Sequence, residues 1–594
     1  MHRRARHGHH PALPRGPRAL LRGARQRPRR GRRGADADRR GRRPGGRRPP
    51  APPLRERLGH RGTGDGVGLV PRPLRRRPGR RAAPRGGPMT PAPRRFLVTA
   101  TPPTTNGDLH VGHLSGPYLG ADVFSRAQRM LGHTVLYASG GDDHQTYVVT
   151  TAERLGLDPV ELAARCNREI VGTLELAGID IDAFTSPDDA YRAEVREFFT
   201  GLHRAGRLKT RTWTFPYCGR TGRYLLEAFA TGYCPECLVG TCGAICENCG
   251  HPNDVDSLLF PASTGAGPAA TTQPRETEIL VLPLEEYREQ FTEFYRVRRA
   301  TMRPHVLRFV DEMLSRPLPD FPVSYPADWG IPVGIDGFDG QVFNVWAEML
   351  PGLRHMAEAA RARRAPATPP GVWAADSGFE LVQFLGYDNT FYFAFAHLGL
   401  TFAHGGLTEP AAIVTNEFYH LDGAKFSTSR RHLVWARDLV GKYGADNVRF
   451  HLALDNPEHQ PANFTEADFL DTVRTRLHQP LQSIAAALAP HTGRPVTAGP
   501  RTEVLLDRYR DRMRRAYTLE TFSMRQAAET TANLLALLAA RAPDDPGLAA
   551  AGLRAAAEHA APLVPGLAAA VEARYTAAAP GTVPDLAGLL PVTL

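Results

Sequence analysis

The stretch 423–430, GAKFSTSR, concentrates side chains that can bind phosphate oxygens. Lys425 offers an ammonium group, and hydroxyl groups follow at Ser427, Thr428 and Ser429. Ammonium, hydroxyl and backbone N–H groups that converge in one loop form a cradle for anionic oxygens. The residue types therefore predict a phosphate-binding loop, and such a loop needs a second group of residues to hold the rest of the ligand.

A second candidate site is the tetrapeptide HVGH, which contains His110 and His113. Two residues three positions apart lie on one side of a helical turn, and a helix N-terminus adds a positive potential that favours phosphate. The pair predicts a group that stabilises a pentavalent phosphoryl transition state. Two ordinary surface histidines are the alternative that the tetrapeptide alone leaves open.

The cysteines predict a metal site, because six of the seven lie between positions 218 and 249. Two CxxC pairs, separated by eight residues, supply thiolates at a spacing typical of tetrahedral Zn²⁺ sites. A site closed by four thiolates has no open position for water, so the zinc is predicted to be structural. The predicted ligands are Cys234, Cys237, Cys246 and Cys249. We expect Cys218 and Cys242 not to be ligands, and Cys166 to be a helix core residue.

The elements that must position the histidines form a βαβ unit. FLVTA (96–100) and TVLYASG (134–140) have the apolar runs of buried strands, and LGADVFSRAQRMLG (119–132) has helical spacing. Nucleotides bind at the carboxyl end of the first strand of such a unit. His110 and His113 follow that strand, which favours the phosphate reading.

The charge of the chain is unevenly distributed. The formal net charge is +13, but residues 1–88 hold 28 Arg and only 4 acidic residues, so the chain from Met89 onward has a net charge of −11. The first 88 residues have few aliphatic side chains, which predicts a disordered extension: either a basic arm that binds RNA, or a stretch upstream of the true start at Met89. No apolar run is long enough to span a membrane, and we expect a cytoplasmic protein.

Seven blocks, in order, resemble the class I aminoacyl-tRNA synthetases, and most of all methionyl-tRNA synthetase. The resemblance covers about residues 94–470 and is carried by PxxNGxxHVGH, GGDDH (140–144), DWGIPV (328–333), VFNVWAE (342–348), FLGYD (384–388), NEFYHLDGAKFSTSR (416–430) and KYGADNVRFHL (442–452).

The resemblance implies an α/β fold with a Rossmann-type parallel-sheet core, split by the zinc-knuckle insertion and followed by an α-helical bundle. It implies that the chain condenses an amino acid with ATP to an aminoacyl adenylate and then charges tRNA, with Mg²⁺ on the pyrophosphate. His110, His113 and Lys425 are the implied catalytic residues. The implied ATP-binding residues are Asn106, Gly107, Gly112, Asp388, Ser427, Thr428 and Ser429.

The amino-acid pocket follows from the same resemblance. Asp142 matches the acidic residue that the family aims at the substrate ammonium group, and Trp346 and Pro103 match pocket positions. Three departures keep the choice of amino acid open, although methionine leads: Thr104 replaces a tyrosine, WAEML (346–350) replaces a WFDAP-type stretch, and Phe393 replaces a histidine. Thr428 replaces the second lysine of the family's loop, for which Arg430 or Arg431 could substitute.

The C-terminal quarter predicts a helical bundle in the place of the family's anticodon-binding domain. Leu505, Tyr509, Met513 and Tyr517 recur every four residues, as in the buried stripe of a helix. Arg508, Arg512 and Arg515 flank that stripe and would either track tRNA phosphates or form a solvated face. Ser483 and Ala487 replace the family's asparagine and arginine. The expected domains are 1–88, 89–212 and 301–464 (the two Rossmann halves), 213–300 (the insertion) and 465–594.

Three functions remain from the sequence. The first is a methionine–tRNA ligase whose partners are methionine and tRNA-Met (initiator or elongator), acting as a monomer. The second is a paralogue that delivers an aminoacyl adenylate to a non-tRNA acceptor. The third is a catalytically silent RNA-binding relative, against which the two histidines, Asp142 and Lys425 argue.

Overall fold

The computed structural model describes residues 92–253, 257–265, 271–426 and 432–589, and these residues belong to one compact unit. The predicted disorder of residues 1–88 lies outside the described residues. So do the predicted loop contacts Ser427, Thr428 and Ser429.

Nineteen strands occur in the described residues. They are β1 (Arg95–Ala100), β2 (Thr134–Gly140), β3 (Ala183–Thr185), β4 (Lys209–Cys218), β5 (Arg223–Tyr224), β6 (Ala230–Tyr233), β7 (Gly240–Cys242), β8 (Ala244–Ile245), β9 (Pro252–Asn253), β10 (Leu259–Ser263), β11 (Thr272–Pro283), β12 (Asp320–Pro322), β13 (Ser324–Pro326), β14 (Gln341–Phe343), β15 (Glu380–Gly386), β16 (Pro410–Asn416), β17 (Tyr419–Leu421), β18 (Ala424–Lys425) and β19 (Ala462–Phe464).

Seventeen α-helices occur in the same part of the chain. They are α1 (Val111–His113), α2 (Leu119–Met130), α3 (Thr146–Leu155), α4 (Pro159–Leu176), α5 (Asp189–Arg204), α6 (Arg288–Arg298), α7 (Pro304–Leu314), α8 (Val345–Arg364), α9 (Leu398–His404), α10 (Ala436–Tyr443), α11 (Ala445–Leu454), α12 (Glu466–Val473), α13 (Gln479–Leu488), α14 (Pro500–Tyr517), α15 (Met524–Arg541), α16 (Pro546–Ala560) and α17 (Pro565–Ala577). Among these described helices, none has both the length and the apolar composition needed to cross a membrane.

The central sheet has five strands in the order β16-β15-β1-β2-β3, and all neighbours are parallel. The predicted βαβ unit is confirmed as β1, α2 and β2. Helices cover both faces of the sheet, which explains why the inner strands are almost continuously apolar and buried. Strand β1 pairs with β2, the next strand in the chain, on one side and with the much later β15 on the other. This change of direction marks the usual position of a ligand site in an open parallel sheet.

An antiparallel insertion separates the two halves of the sheet. Its largest ladder joins β4 to β11. Lys209 pairs with Val281 at one end of this ladder, and Cys218 pairs with Thr272 at the other. The short strands β6, β7 and β10 form a second small sheet beside the cysteine cluster. The predicted Rossmann core with an insertion is confirmed by this arrangement.

The C-terminal helices form the predicted bundle and share one hydrophobic core with the central sheet. The predicted stripe of α14 is buried at Tyr509, Met513 and Tyr517, whereas Leu505 is only partly buried and Leu506 takes the buried place.

A buried ion pair fastens the bundle to the sheet. Arg449 of α11 and Asp122 of α2 are both almost inaccessible, and their Nη2 and Oδ2 atoms lie 2.6 Å apart. Arg449 also donates to the carbonyl oxygens of Leu563 and Pro562 in the last turn before α17. Removing one partner of such a pair leaves an uncompensated buried charge, so a single substitution at either position is expected to destabilise the junction.

Candidate active site

Three predicted site residues follow the carboxyl ends of three neighbouring strands. His110 lies beyond β1, Asp142 lies two residues beyond β2, and Asp388 lies two residues beyond β15. Because parallel strands end at one edge of the sheet, the fold brings these residues to the same edge.

The histidine pair has a defined geometry at the start of α1. The imidazole rings of His110 and His113 are stacked, with centroids 3.6 Å apart and an interplanar angle of 14°. His110 Nδ1 accepts a hydrogen bond from the backbone N–H of His113 at 3.2 Å, which caps the helix. The prediction that both rings lie on one side of the turn is therefore confirmed.

The segment that carries the predicted phosphate loop meets this pair at both ends. Phe426, which follows Lys425, stacks on His110 with centroids 4.9 Å apart. Beyond the loop, the backbone N–H of Val111 donates to Val434 O at 3.0 Å, and that of Ala436 donates to Leu109 O at 2.9 Å. The described residues on either side of 427–431 therefore contact the segment that carries the histidines.

Gly112 makes this stacking possible. A Cβ atom at this position would lie 3.1 Å from the ring of His110 and 3.3 Å from the ring of Phe426. Any larger residue would push the two rings apart. The loop's own Lys425 pairs with His420 through its backbone in the β17–β18 ladder.

The turn after β1 is fixed to the turn after β2. The backbone N–H of Asp142 donates to Pro103 O at 3.0 Å, and Thr104 pairs with Asp142 in an isolated bridge. Asn106 and Gly107 follow in the same turn, where the Asn106 N–H donates to Thr104 O at 2.9 Å. Backbone hydrogen bonds therefore join the predicted nucleotide turn to the predicted ammonium-binding loop.

Asp142 lies among other carboxylates. Burial raises the pKa of Asp142 well above its ordinary value, and the negative charges of Glu348 and Glu227 raise it further. His144 is the buried imidazole among these groups: its Nδ1 lies 2.7 Å from Glu348 Oε1. Burial lowers the pKa of His144, but this carboxylate outweighs that effect and raises it above its ordinary value. A substrate ammonium group would relieve the remaining repulsion, which fits the predicted role of Asp142.

Trp346 is held at the first turn of α8. Its backbone N–H donates to the capping side chain of Asn344 at 3.1 Å, and its carbonyl oxygen contacts His397 Nε2 at 2.7 Å. The indole stacks on the ring of Tyr392, with centroids 3.9 Å apart and an interplanar angle of 6°. The ring is partly exposed, so one part of it can line a pocket.

Asp388 occupies the short helical turn Tyr387–Asn389. Its Oδ1 accepts a hydrogen bond from Asn389 Nδ2 at 2.9 Å. This turn follows β15, which pairs with β1, so Asp388 stands next to the loop that carries the histidines.

The sequence reasoning missed three residues of this region: His144, Glu348 and Glu227. His144 and Glu348 stand inside the GGDDH and VFNVWAE blocks, so their proximity to Asp142 and Trp346 could have singled them out. Glu227 comes from the insertion and reaches the start of α3, where its carboxylate accepts hydrogen bonds from the N–H of Thr146 at 3.3 Å and its hydroxyl at 3.1 Å. No pattern in the sequence predicts the contact between Glu227 and Thr146.

Glu227 is expected to make the protein less stable as the pH rises from 5 to 8. Burial raises its pKa to about 7, against an ordinary value of 4.5. The folded state then binds more protons than the unfolded state between these values, so its stability falls on the order of 3 kcal/mol across this window. Thermal unfolding of wild type and Glu227→Gln at pH 5 and pH 8 measures this.

The Glu227→Gln variant should lose much of that pH dependence. Glu276→Gln, an exposed carboxylate on β11, serves as the matched control and should keep it. An unchanged pH dependence in Glu227→Gln would show that other groups cause it.

The predicted zinc ligands converge in the insertion. One sulfur atom from each of Cys234, Cys237, Cys246 and Cys249 lies within 4.8 Å of the others. The Sγ atoms of Cys234 and Cys249 are 3.7 Å apart, and those of Cys237 and Cys246 are 3.6 Å apart. Sulfur atoms bound tetrahedrally at about 2.3 Å from Zn²⁺ would be about 3.8 Å apart, so the cluster fits the ion. Cys166 is a buried residue of α4, as predicted.

Replacing Cys246 with serine is expected to abolish tight zinc binding. The variant loses one of four thiolates, and a structural zinc site of this kind would supply folding free energy to the knuckle. Zinc content after dialysis, together with amide hydrogen exchange of residues 230–253, measures the effect. Cys242→Ser is the matched control, because its sulfur is outside the cluster and it should retain zinc. Equal zinc content in the two variants would refute the assignment.

Comparisons with known proteins agree on one family. The family model of the tRNA synthetases class I (M) matches residues 96–487. A methionine–tRNA ligase of Roseiflexus sp. (strain RS-1) is 32% identical over 444 residues, which are 72% of this chain and 74% of that protein. A methionine–tRNA ligase of Thermobifida fusca is 32% identical over 396 residues, 64% of this chain and 65% of that protein.

Solved structures are similar in fold. The Mycobacterium tuberculosis methionyl-tRNA synthetase bound by methionyl-adenylate has a TM-score of 0.64 and 18% sequence identity. The similarity covers 84% of this chain and all of that one. At 18% sequence identity, the similarity between the two structures supports a shared fold and nothing further.

Proposed function

This chain belongs to the class I (M) tRNA synthetases, and from that premise we propose that it activates methionine with ATP and transfers the methionyl group to tRNA. The observation that carries the proposal is the contact of the histidine segment with the described residues on both sides of 427–431: Phe426 stacks on His110, and Val434 and Ala436 hydrogen-bond to Val111 and Leu109. Two distant phosphate-binding segments then face one ligand. We also propose that the enzyme is cytoplasmic and monomeric.

In the first reaction, a carboxylate oxygen of the amino acid attacks the α-phosphorus of ATP. A new P–O bond forms, the bond from the α-phosphorus to the bridging oxygen breaks, and pyrophosphate leaves with the electron pair. The protein mainly positions the reactants and neutralises charge in such a displacement. His110 and His113 would bind the phosphates as charge shifts to the leaving group.

The loop residues would complete the phosphate site. Lys425 would supply a positive charge to the pyrophosphate, and Ser427, Thr428 and Ser429 would supply hydroxyl and backbone donors. Mg²⁺ would reach the site bound to ATP and neutralise part of the phosphate charge.

Other residues would hold the nucleotide and the amino acid. Asn106, Gly107 and Gly112 would let the backbone approach the nucleotide closely, and Asp388 would bind its far end. Asp142 would pair with the substrate ammonium group, while Trp346 and Pro103 would contact the side chain. Aromatic walls favour a thioether, which supports methionine.

In the second reaction, a terminal ribose hydroxyl of tRNA attacks the acyl carbon of the adenylate. An ester bond forms, the acyl–phosphate bond breaks, and AMP leaves. The zinc knuckle, whose Gly250 backbone lies against Tyr387, borders the site where this step would occur.

The test is ATP–pyrophosphate exchange with each of the twenty amino acids, followed by charging of tRNA with a CAU anticodon. We expect exchange with methionine and charging of that tRNA. Exchange without charging would instead indicate a non-tRNA acceptor, and no exchange with any amino acid would refute the proposal.

A further inference from the structure

A second cluster of metal-binding side chains lies beside the zinc knuckle. Glu236 stands in the first CxxC turn, His251 follows the second, and Glu312 comes from α7 of the core. One ligand atom from each lies within 4.8 Å of the others. The cluster thus joins the insertion to the catalytic half that follows it.

The imidazole of His251 is the unusual member. The residue is 5% exposed, and neither ring nitrogen has a well-aligned hydrogen-bond partner. Nε2 is directed at the cluster, 3.1 Å from Glu312 Oε1, and the ring packs on Phe309 with centroids 4.9 Å apart. Buried polar atoms without hydrogen-bond partners are costly, and an ion held between Nε2 and the two carboxylates would give Nε2 a partner.

The local charge favours a cation. Glu236 and Glu312 bring two carboxylates, and Arg316 neutralises only part of this charge through one oxygen of Glu236, at 2.7 Å. The neighbouring zinc site adds to the effect, because four thiolates on one Zn²⁺ leave a net charge of about −2. Arg316 can also orient a ligating carboxylate, as partners of metal ligands commonly do.

We propose that Glu236, His251 and Glu312 bind a divalent transition-metal ion that clamps the zinc knuckle onto α7. One imidazole and two carboxylates suit ions such as Mn²⁺, Co²⁺ or Zn²⁺, with water in the remaining positions. This ion is additional to the zinc held by the four cysteines.

The position of the clamp gives it a consequence for the candidate active site. Gly250 precedes His251, and a Cβ atom there would lie 3.3 Å from the carbonyl oxygen of Tyr387. Tyr387 opens the turn that carries Asp388. An ion at the clamp would therefore hold the knuckle in contact with the turn that borders the proposed nucleotide site.

The test is titration of the zinc-loaded full chain with Mn²⁺, without ATP, followed by the EPR signal of free Mn²⁺. We expect one saturable Mn²⁺ site, and at least about tenfold weaker binding in Glu312→Gln and in His251→Asn. Asp311→Asn is the matched control: it removes a charge from the same helix outside the cluster and should bind Mn²⁺ as wild type does.

Two outcomes would overturn the proposal: no Mn²⁺ binding by the wild type, or equal binding in Glu312→Gln and Asp311→Asn. The first would leave a metal-free ion pair between His251 and Glu312. Zinc content of each variant reports whether the knuckle is still folded. Glu312 and Glu236 are exposed, so Glu236→Gln provides a further variant that should fold. The readout does not depend on the proposed catalytic function.

Discussion

Replacing His113 with alanine is expected to lower amino-acid-dependent ATP–pyrophosphate exchange by about 10²–10³-fold. His113 and His110 stack at 3.6 Å at the start of α1, next to the described residues that flank 427–431. Removing one ring takes a donor from the place where negative charge develops on the phosphates. The loss should appear in kcat more than in the KM for ATP, since the interaction strengthens in the transition state.

The same experiment on His110 should give a similar loss, and the double variant should lose less than the product of the two. The rings stack, and His110 also caps the helix that carries His113, so the two residues act as a unit. His203→Ala in α5, outside the site, should leave exchange unchanged. Exchange within about twofold of wild type in both single variants would remove the histidines from the mechanism.

Replacing Asp142 with asparagine is expected to raise the KM for the amino acid by about 10²–10³-fold. The substitution keeps the shape of the side chain but removes the charge that we propose to pair with the substrate ammonium group. Loss of one partner of a buried charge pair typically costs about 2–5 kcal/mol of binding, or about 30- to 5,000-fold, and the expected change lies in the middle of this range. Initial rates of exchange at varied methionine and saturating ATP measure it.

The Asp142→Asn substitution is expected to stabilise the empty protein or to leave its stability unchanged. The pKa of Asp142 is raised by burial and by Glu348 and Glu227, so its ionised form costs free energy in the empty protein. The melting temperature of Asp142→Asn should therefore equal or exceed that of wild type. A lower melting temperature together with an unchanged KM would show that Asp142 has a structural role instead.

Asp143→Asn is the matched control. The Asp143 carboxylate accepts hydrogen bonds from Asn167 Nδ2 of α4 at 2.9 and 3.2 Å, so its charge is already held by a partner side chain. Its replacement should change the KM for the amino acid far less. Equal effects at the two positions would mean that the whole loop, and not one carboxylate, binds the substrate.

The buried carboxylates connect the insertion with the proposed amino-acid pocket. Glu227 belongs to the insertion, has a left-handed backbone with φ of 40°, and contacts Thr146 four residues after Asp142. Such strain persists only where the surroundings impose it. Docking of the insertion and binding of the amino acid are therefore expected to depend on one another through Glu227 and Thr146.

The sequence by itself determined the features that depend on local spacing. Apolar runs and helical periodicity predicted β1, α2 and β2, the two CxxC pairs predicted the cysteine cluster, and a four-residue repeat predicted the buried stripe of α14. These patterns involve neighbours along the chain, where bond geometry fixes the relative positions of side chains.

The tertiary structure alone decided which distant segments meet. The parallel order of β15, β1 and β2 brings Asp388 to the edge that holds Asp142, and the separate small sheet of β17, β18 and β19 carries Phe426 onto His110. The approach of Glu227 to Thr146 likewise needs the insertion to dock on the sheet, and no local pattern records it. Contacts of this kind depend on how buried surfaces pack across the whole core, and many sequences with the same local spacing could pack differently.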